Sequence, residues 1–417
     1  MIKIKPQRTT KRARLKCREW LSVPFYSLFF TEDFPFLSQT RYTAALYSLI
    51  YLALFFMSRP IVAHIDLNAL QCNYALVKRR VAPARTFAVI KANAYGHGAL
   101  AIAQALKNEA DGFALIEIET ACKMRAAGIH QPILLLAGVF EEAELLLCQQ
   151  HTLMITVHNI QQVEWLERLA GVETGLHVFL KINTGMNRLG LMPDDIDPVL
   201  RRLQALPTIT SICLMTHFAT ADESDKGIEE QWAVFDALRQ PYVHLPFCAA
   251  NSAAVMRYPH THGQWVRPGV VLYGSSPFIE VTADELGLYP VMHLSSQLIA
   301  VQNITPGQTI GYGATYRADK PMRVGIVACG YADGYPRHAP AGTPIAVEGQ
   351  RCALVGRVSM DMLAVDITCV PQAHVGTQVE LWGGQVSIDE VASLAGTISY
   401  ELMCAVASRV TINYSEK

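Results

Sequence analysis

The chain has no cysteine pair at the CxxC spacing. Its ten cysteines are scattered from Cys17 to Cys404, which excludes a disulfide framework and a zinc ribbon and fits a reducing cytoplasm. The 13 histidines show no HExxH or similar ligand pattern. His260 and His262 are read as a loop feature, and no metal is expected. Charge is sparse, at 17% of residues and a formal net −1, so no global field would draw nucleic acid or an acidic membrane surface. No internal repeat or low-complexity tract occurs. No GxGxxG-type turn follows the first strand of the repeating pattern, which counts against a doubly wound dinucleotide fold.

Long apolar runs are also missing. The run Ala44–Met57 is 14 residues, short of the ~20 that cross a bilayer. It follows a segment, residues 1–18, with eight Lys or Arg and no acid, a pairing also met in secretory signals and anchors. No small-residue cleavage site follows it. Residues 1–56 are expected to be an extension outside the folded part of the chain, with a membrane anchor as the alternative.

What is present is a large hydrophobic fraction, 51% of 417 residues, enough for two domains. A short strand is expected at 61–65 and a helix over 67–80. Apolar runs then recur near 86–91, 112–116, 132–137, 154–158, 177–183, 211–217, 245–250 and 265–273. Amphipathic stretches lie between them, at 117–127, 141–150, 161–169, 194–206 and 228–238. Continuous apolar strands are buried on both faces. Eight strand–helix units predict an α/β architecture, a (β/α)8 TIM barrel over residues 57–285, although the first short strand could join the next domain. From Leu286 short strands with Gly and Pro turns take over: 294–301, 323–328, 343–347, 352–358, 362–366 and 378–381. They predict a C-terminal mainly-β domain, 286–417, with one helix at 388–395.

In such a barrel functional groups gather where strands end. Lys91 ends the first apolar run in AVIKANAYGHG (88–98). A lysine forms a Schiff base with an aldehyde cofactor once burial or nearby cations lower its pKa. KINTGMNRLG (181–190), MTHFATADE (215–223), Asn251–Ala254 and WVRPGVVLYG (265–274) fall at the later strand ends. Tyr95, Ser252 and the amides of Gly269 and Val270 are candidates for a phosphate, because a helix N-terminus beside glycines is a natural anion site. Arg267 stays charged at any relevant pH and would donate to a cofactor ring nitrogen. By resemblance to two-base racemases, in which one base stands on each face of the reacting carbon, Lys91 is one base, and Tyr312 in GYGATY (311–316), linked by His217 to Arg267, is the candidate for the other.

These motifs resemble those of bacterial alanine racemases, and the likeness runs from about Met57 to Tyr414. The resemblance implies pyridoxal 5'-phosphate as cofactor, carried by Lys91, with Tyr95, Arg188, His217, Ser252, Arg267, Gly269, Val270 and Tyr400 around it. It makes Lys91 and Tyr312 the catalytic pair and Arg188, Tyr331 and Met360, next to Asp361, the substrate contacts. It marks Lys181 as a candidate for carbamylation. It also implies a homodimer in which Tyr312, Tyr331 and Met360 reach the other subunit's site, and a small amino-acid substrate, alanine, in a pocket walled by Tyr312, Tyr331 and Tyr400. Asn183 and Asn187 stand where Asp and Gly are more usual, and the ending RVTINY lacks the common Pro-Arg. A broader racemase of lysine, arginine or serine, a barrel-type decarboxylase and a non-catalytic pyridoxal-phosphate carrier are the alternatives. The decarboxylase would need a carboxylate at the ring nitrogen, and a carrier would consist of the barrel alone.

Overall fold

The computed structural model describes residues 59–169 and 175–415. The basic segment and the apolar run near the N-terminus lie outside the described residues. Eight parallel strands form one sheet in the order β8-β7-β6-β5-β4-β3-β2-β9. They are β2 (Arg85–Val89), β3 (Gly112–Leu115), β4 (Ile133–Leu135), β5 (Leu153–Val157), β6 (Leu176–Lys181), β7 (Ile209–Met215), β8 (Phe247–Cys248) and β9 (Trp265–Val266). No ladder joins β8 to β9, but Arg267 N donates to Ala250 O at 2.9 Å just beyond their ends. The barrel is thus nearly closed. Its strands are short and almost wholly buried, as expected when helices cover the outer face.

Two of the expected strands are shorter than their apolar runs. The run at 245–250 pairs only at Phe247–Cys248. The run at 265–273 pairs only at Trp265–Val266, and Val270–Tyr273 form a buried 3-10 turn instead. Pro268 supplies the reason, since it has no N–H for a ladder. Lys91 likewise lies two residues past the end of β2 rather than within it.

The remaining strands make a second sheet, in the order β13-β16-β15-β14-β17-β10-β1-β18, and β10 also pairs with β13. Here β1 is Val62–Asp66, β10 Met292–Ile304, β13 Met322–Val327, β14 Pro344–Val347, β15 Gln350–Val355, β16 Leu363–Asp366, β17 Gln378–Trp382 and β18 Thr411–Ser415. The first six strands of that order close into an antiparallel ring around Val327, Leu354, Val365 and Leu381, all 0% exposed. The 13-residue β10 pairs with β17 along its first half and with β13 along its second. Strand β1, first of the described strands, lies between β10 and β18. A short hairpin, β11 (Thr309–Ile310) with β12 (Tyr316–Arg317), carries Tyr312 at its tip. After β1 comes the helix Leu67–Val81, whose N-cap Asp66 accepts from the amides of Asn68 and Ala69 at 2.9 and 3.0 Å.

Candidate active site

Directly after Lys91 the backbone makes a left-handed turn. Ala92, Asn93, Ala94 and Tyr95 have φ between 52° and 55°. Each non-glycine residue held there costs roughly 1–2 kcal/mol, and such strain gathers where geometry must be fixed. The turn is held by Ala94 N to Ile90 O at 2.9 Å and Gly98 N to Asn93 O at 2.9 Å. Asn93 Oδ1 also accepts from Ala99 N at 2.9 Å, at the start of helix Ala99–Leu106. His97 is wholly buried, its Nδ1 lies 2.9 Å from Ala94 O, and its ring stacks on Tyr273 at 4.5 Å. Strand β18 closes over the loop through Tyr414 Oη, which donates to His97 O at 3.1 Å. A Cβ on Gly98 would lie 2.0 Å from that oxygen.

Cations crowd around Lys91. Burial lowers its pKa, and the charges of Arg188 and Arg267 lower it further, against the opposing effect of Cys404 and Glu117. Lys181, at the end of β6, is buried, and burial with Arg267, Arg188 and Lys91 brings it down to about 8. His217 is pushed well below 6.5 by burial and by the same four cations, so it is neutral. A cluster of this sign with so little carboxylate inside is electrostatically incomplete, and an anionic ligand would balance it.

The phosphate candidates meet. Ser252 begins the helix Ser252–Arg257, capped by Asn251 Oδ1, which accepts from Ala254 N at 3.0 Å. Ser252 Oγ accepts from Gly269 N at 2.7 Å. The Tyr95 hydroxyl is so close to Gly269 that a Cβ there would lie 2.4 Å from it. Val270 follows at the head of the buried 3-10 turn. Tyr400, on the helix Ser399–Ala405, sits with its ring 5.9 Å from that of Tyr95. The Tyr95 and Ser252 hydroxyls and the backbone at Gly269 and Val270 thus come together, the kind of groups that bind a phosphate.

Arg267 spans the open seam of the barrel. Its guanidinium donates to Cys248 O at 2.7 Å, Thr216 O at 2.8 Å and Ala249 O at 3.1 Å, and lies 3.4 Å from His217 Nδ1. These bonds run through its two terminal nitrogens, and the Nε–H has no partner among the described residues. It is therefore a fixed donor with one hydrogen to spare.

Arg188 is exposed and makes no hydrogen bond or ion pair among the described residues. Its loop explains the two sequence departures. Asn187 has φ 56°, a conformation asparagine tolerates better than most residues. Asn183 Oδ1 accepts from Asn187 N at 3.1 Å, and Asn183 Nδ2 donates to Asn187 Oδ1 at 2.9 Å. The pair thus braces its own turn.

The other three candidates lie on the β domain and face outward. Tyr312 is 71% exposed, Tyr331 38% and Met360 53%. Tyr331 N donates to Ser359 O at 3.0 Å and Ala332 N to Met360 O at 2.9 Å, so the Tyr331 and Met360 loops are zipped together. The turn of Tyr312 leans on Arg357 of the second loop. The relay expected from Arg267 through His217 to Tyr312 is present only in its first half. Within one chain Tyr312 makes no hydrogen bond to His217.

Sequence reading missed several residues around the site. Glu117 Oε1 lies 3.3 Å from Ala92 N. Ser275 Oγ donates to Asp389 Oδ1 at 2.5 Å and meets Ser399 Oγ at 2.5 Å, which ties the Tyr400 helix to the barrel. Cys404 lies near Lys91. None carries a motif signal, because each is a single polar residue in an ordinary helix or loop.

A barrel nearly closed around a buried lysine among cations, joined to an antiparallel β domain, defines a class of two-domain lysine enzymes. Within it, the family models of the alanine racemase N-terminal and C-terminal domains match residues 65–277 and 291–414. The chain belongs to the alanine racemase family. It is 51% identical over 356 residues to an alanine racemase of Nitrosospira multiformis, covering 85% of this chain and 99% of the relative. It is 48% identical to a catabolic alanine racemase of Klebsiella aerogenes, with the same coverage. Among solved structures, the biosynthetic alanine racemase of Pseudomonas aeruginosa superposes with a TM-score of 0.82 at 47% identity, covering 86% of this chain and all of that one. Alanine racemase from Bartonella henselae with covalently bound pyridoxal phosphate gives 0.77 at 26% identity, over 85% of this chain and 99% of that one. No helix among the described residues is long and apolar enough to cross a membrane.

Proposed function

We propose that this protein interconverts L- and D-alanine with pyridoxal 5'-phosphate, by removing the Cα proton on one face and returning a proton on the other. The observation that carries the reading is the cationic cluster in which buried Lys181 and Arg267, half-buried Lys91 and exposed Arg188 act on one another, together with the Tyr95–Ser252–Gly269 cradle. Lys91 would hold the cofactor aldehyde. Tyr95, Ser252, Tyr400 and the backbone at Gly269 and Val270 would hold its phosphate. When bound, the cofactor supplies an electron sink for the negative charge left on Cα.

Arg267 would offer its spare Nε–H to the ring nitrogen, and its fixed positive charge would keep a proton off that nitrogen. A neutral His217 beside it adds no competing charge. With its pKa lowered, the Lys91 amine is able to take a proton from one face of Cα. Tyr312 of the partner subunit serves the other face. This requires a homodimer and accounts for Tyr312, Tyr331, Met360 and Met362 standing exposed on one chain. Met360 N has no hydrogen-bond partner among the described residues and would bind the substrate carboxylate with Arg188. Lys181, at about 8, has an appreciable neutral fraction near neutral pH. Such an amine reacts with carbon dioxide, and the resulting carbamate would pair with Arg188. Nine thiols are free among the described residues, which supports a reducing cytoplasm as the setting.

The test is a panel of L-amino acids incubated with the holoenzyme and resolved by chiral chromatography. The reading expects D-alanine at a rate far above the D-forms of lysine, arginine and serine. Comparable rates for the larger substrates would favour a broad racemase, and loss of carbon dioxide would favour a decarboxylase.

A further inference from the structure

Four charged side chains from four distant segments meet behind the Tyr331 and Met360 loops. Asp333 is wholly buried beneath Tyr331. Arg59 grips it with two bonds, at 2.7 and 3.0 Å, and Arg409 Nε adds a third at 2.8 Å. Both arginines continue to the next loop. Arg59 donates to Asp361 O at 3.1 Å, and Arg409 donates to Asp361 Oδ1 at 2.7 Å. Asp333 also accepts from Gly330 N at 2.9 Å, and its carbonyl accepts from Ala407 N at 3.1 Å. Two cations and two anions make a neutral unit that joins a residue before β1 and one before β18 to both loops.

We infer that Arg59, Asp333, Asp361 and Arg409 act as a clamp that positions Tyr331 and Met360 for substrate binding, making Arg409 and Arg59 positioning residues for the reaction. The inference rests on the proposed roles of Tyr331 and Met360. Three features carry it. The zipper between the loops, Tyr331 N to Ser359 O and Ala332 N to Met360 O, is only two bonds long. Gly330 packs so tightly on Ser359 and Met360 that a Cβ there would lie 2.3 Å from Ser359 O, so the loops touch without side chains to interlock. Asp333 is buried behind the contact, and a buried carboxylate is held in place by its counterions. Geometry matters at this scale, because small displacements of binding groups weaken substrate binding measurably.

Arg409 is the residue to change, since its side chain is 40% exposed and Asp333 keeps both Arg59 bonds without it. In the holoenzyme, Arg409→Gln should raise KM for both alanine enantiomers about five-fold while kcat stays within about two-fold, the pattern of lost binding rather than lost chemistry. Arg409→Lys should fall between, because one ammonium cannot bridge two carboxylates as a guanidinium does. Amide hydrogen exchange at Tyr331 and Ala332 should quicken in Arg409→Gln while the barrel strands keep their protection. Unchanged exchange at those amides overturns the clamp whatever the wild-type enzyme does to alanine. Faster exchange with unchanged KM overturns its role in binding. A wild-type enzyme inactive on alanine but showing the exchange effect would leave the clamp standing and sink the functional reading instead.

Discussion

Acidification should destabilise the enzyme through His97 in a way that can be measured separately. The imidazole is 0% exposed, its Nδ1 lies against the carbonyls of Ala94 and Tyr95 at 2.9 and 3.0 Å, and its Nε2 has no partner. A proton on Nε2 would be buried with nothing to receive it, so burial lowers the pKa from 6.5 to about 4. A depressed folded pKa makes the sign definite. Above pH 6.5 neither state binds the proton and the neutral ring costs nothing. As pH falls below 6.5 the unfolded chain takes the proton and the folded chain refuses it, so stability drops until about pH 4. At ~1.4 kcal/mol per unit this amounts to ~3 kcal/mol in all, of which ~2 kcal/mol is lost before pH 5. His97→Asn retains a donor for the Ala94 carbonyl but does not titrate. Denaturant unfolding of both proteins from pH 7.5 to 5 isolates the effect. The variant starts lower, having lost the stacking on Tyr273, and its curve should be flatter by ~2 kcal/mol across that range. Parallel curves would show that His97 is not held neutral in the fold.

Three further predictions concern the site. Gly269→Ala places a Cβ 2.4 Å from the Tyr95 hydroxyl, so cofactor affinity measured by equilibrium dialysis should fall at least about ten-fold with the barrel intact; unchanged affinity would remove Gly269 from the phosphate site. Tyr312→Phe should suppress exchange of the Cα hydrogen of L-alanine with solvent much more than that of D-alanine, and equal losses would contradict the assignment of faces. Ala92→Gly relieves one left-handed residue, worth roughly 1–2 kcal/mol, while adding glycine's unfolded-state entropy of roughly 0.5–1 kcal/mol. Unfolding should therefore show the variant no less stable than wild type.

The barrel was legible because its strands are apolar without interruption, a pattern that the helices on the outer face require. The eighth run shows where such reading stops. Val270–Tyr273 are as apolar as a strand because they are buried, yet burial does not distinguish a ladder from a 3-10 turn. The place of β1 between β10 and β18 depends on pairing across more than 200 residues, and five residues cannot encode it. The left-handed turn after Lys91 was hidden because Ala92, Asn93, Ala94 and Tyr95 include no glycine to announce positive φ. The cluster around Ser252, Gly269 and Tyr95 came from recognisable strings. The Asp333 clamp did not, since Arg59 and Arg409 are ordinary arginines until folding brings them together across about 350 residues.

The central claim is that each site pairs Lys91 of one subunit with Tyr312 of the other, and subunit mixing tests it most directly. Lys91→Ala and Tyr312→Phe homodimers should each be nearly inactive. After the two are co-refolded in equal amounts, half of the dimers are mixed, and each mixed dimer has one site with both residues intact, giving about a quarter of wild-type racemisation. If the mixture stays as inactive as its components while mixed dimers are present, the two residues serve the same chain and the shared site is wrong.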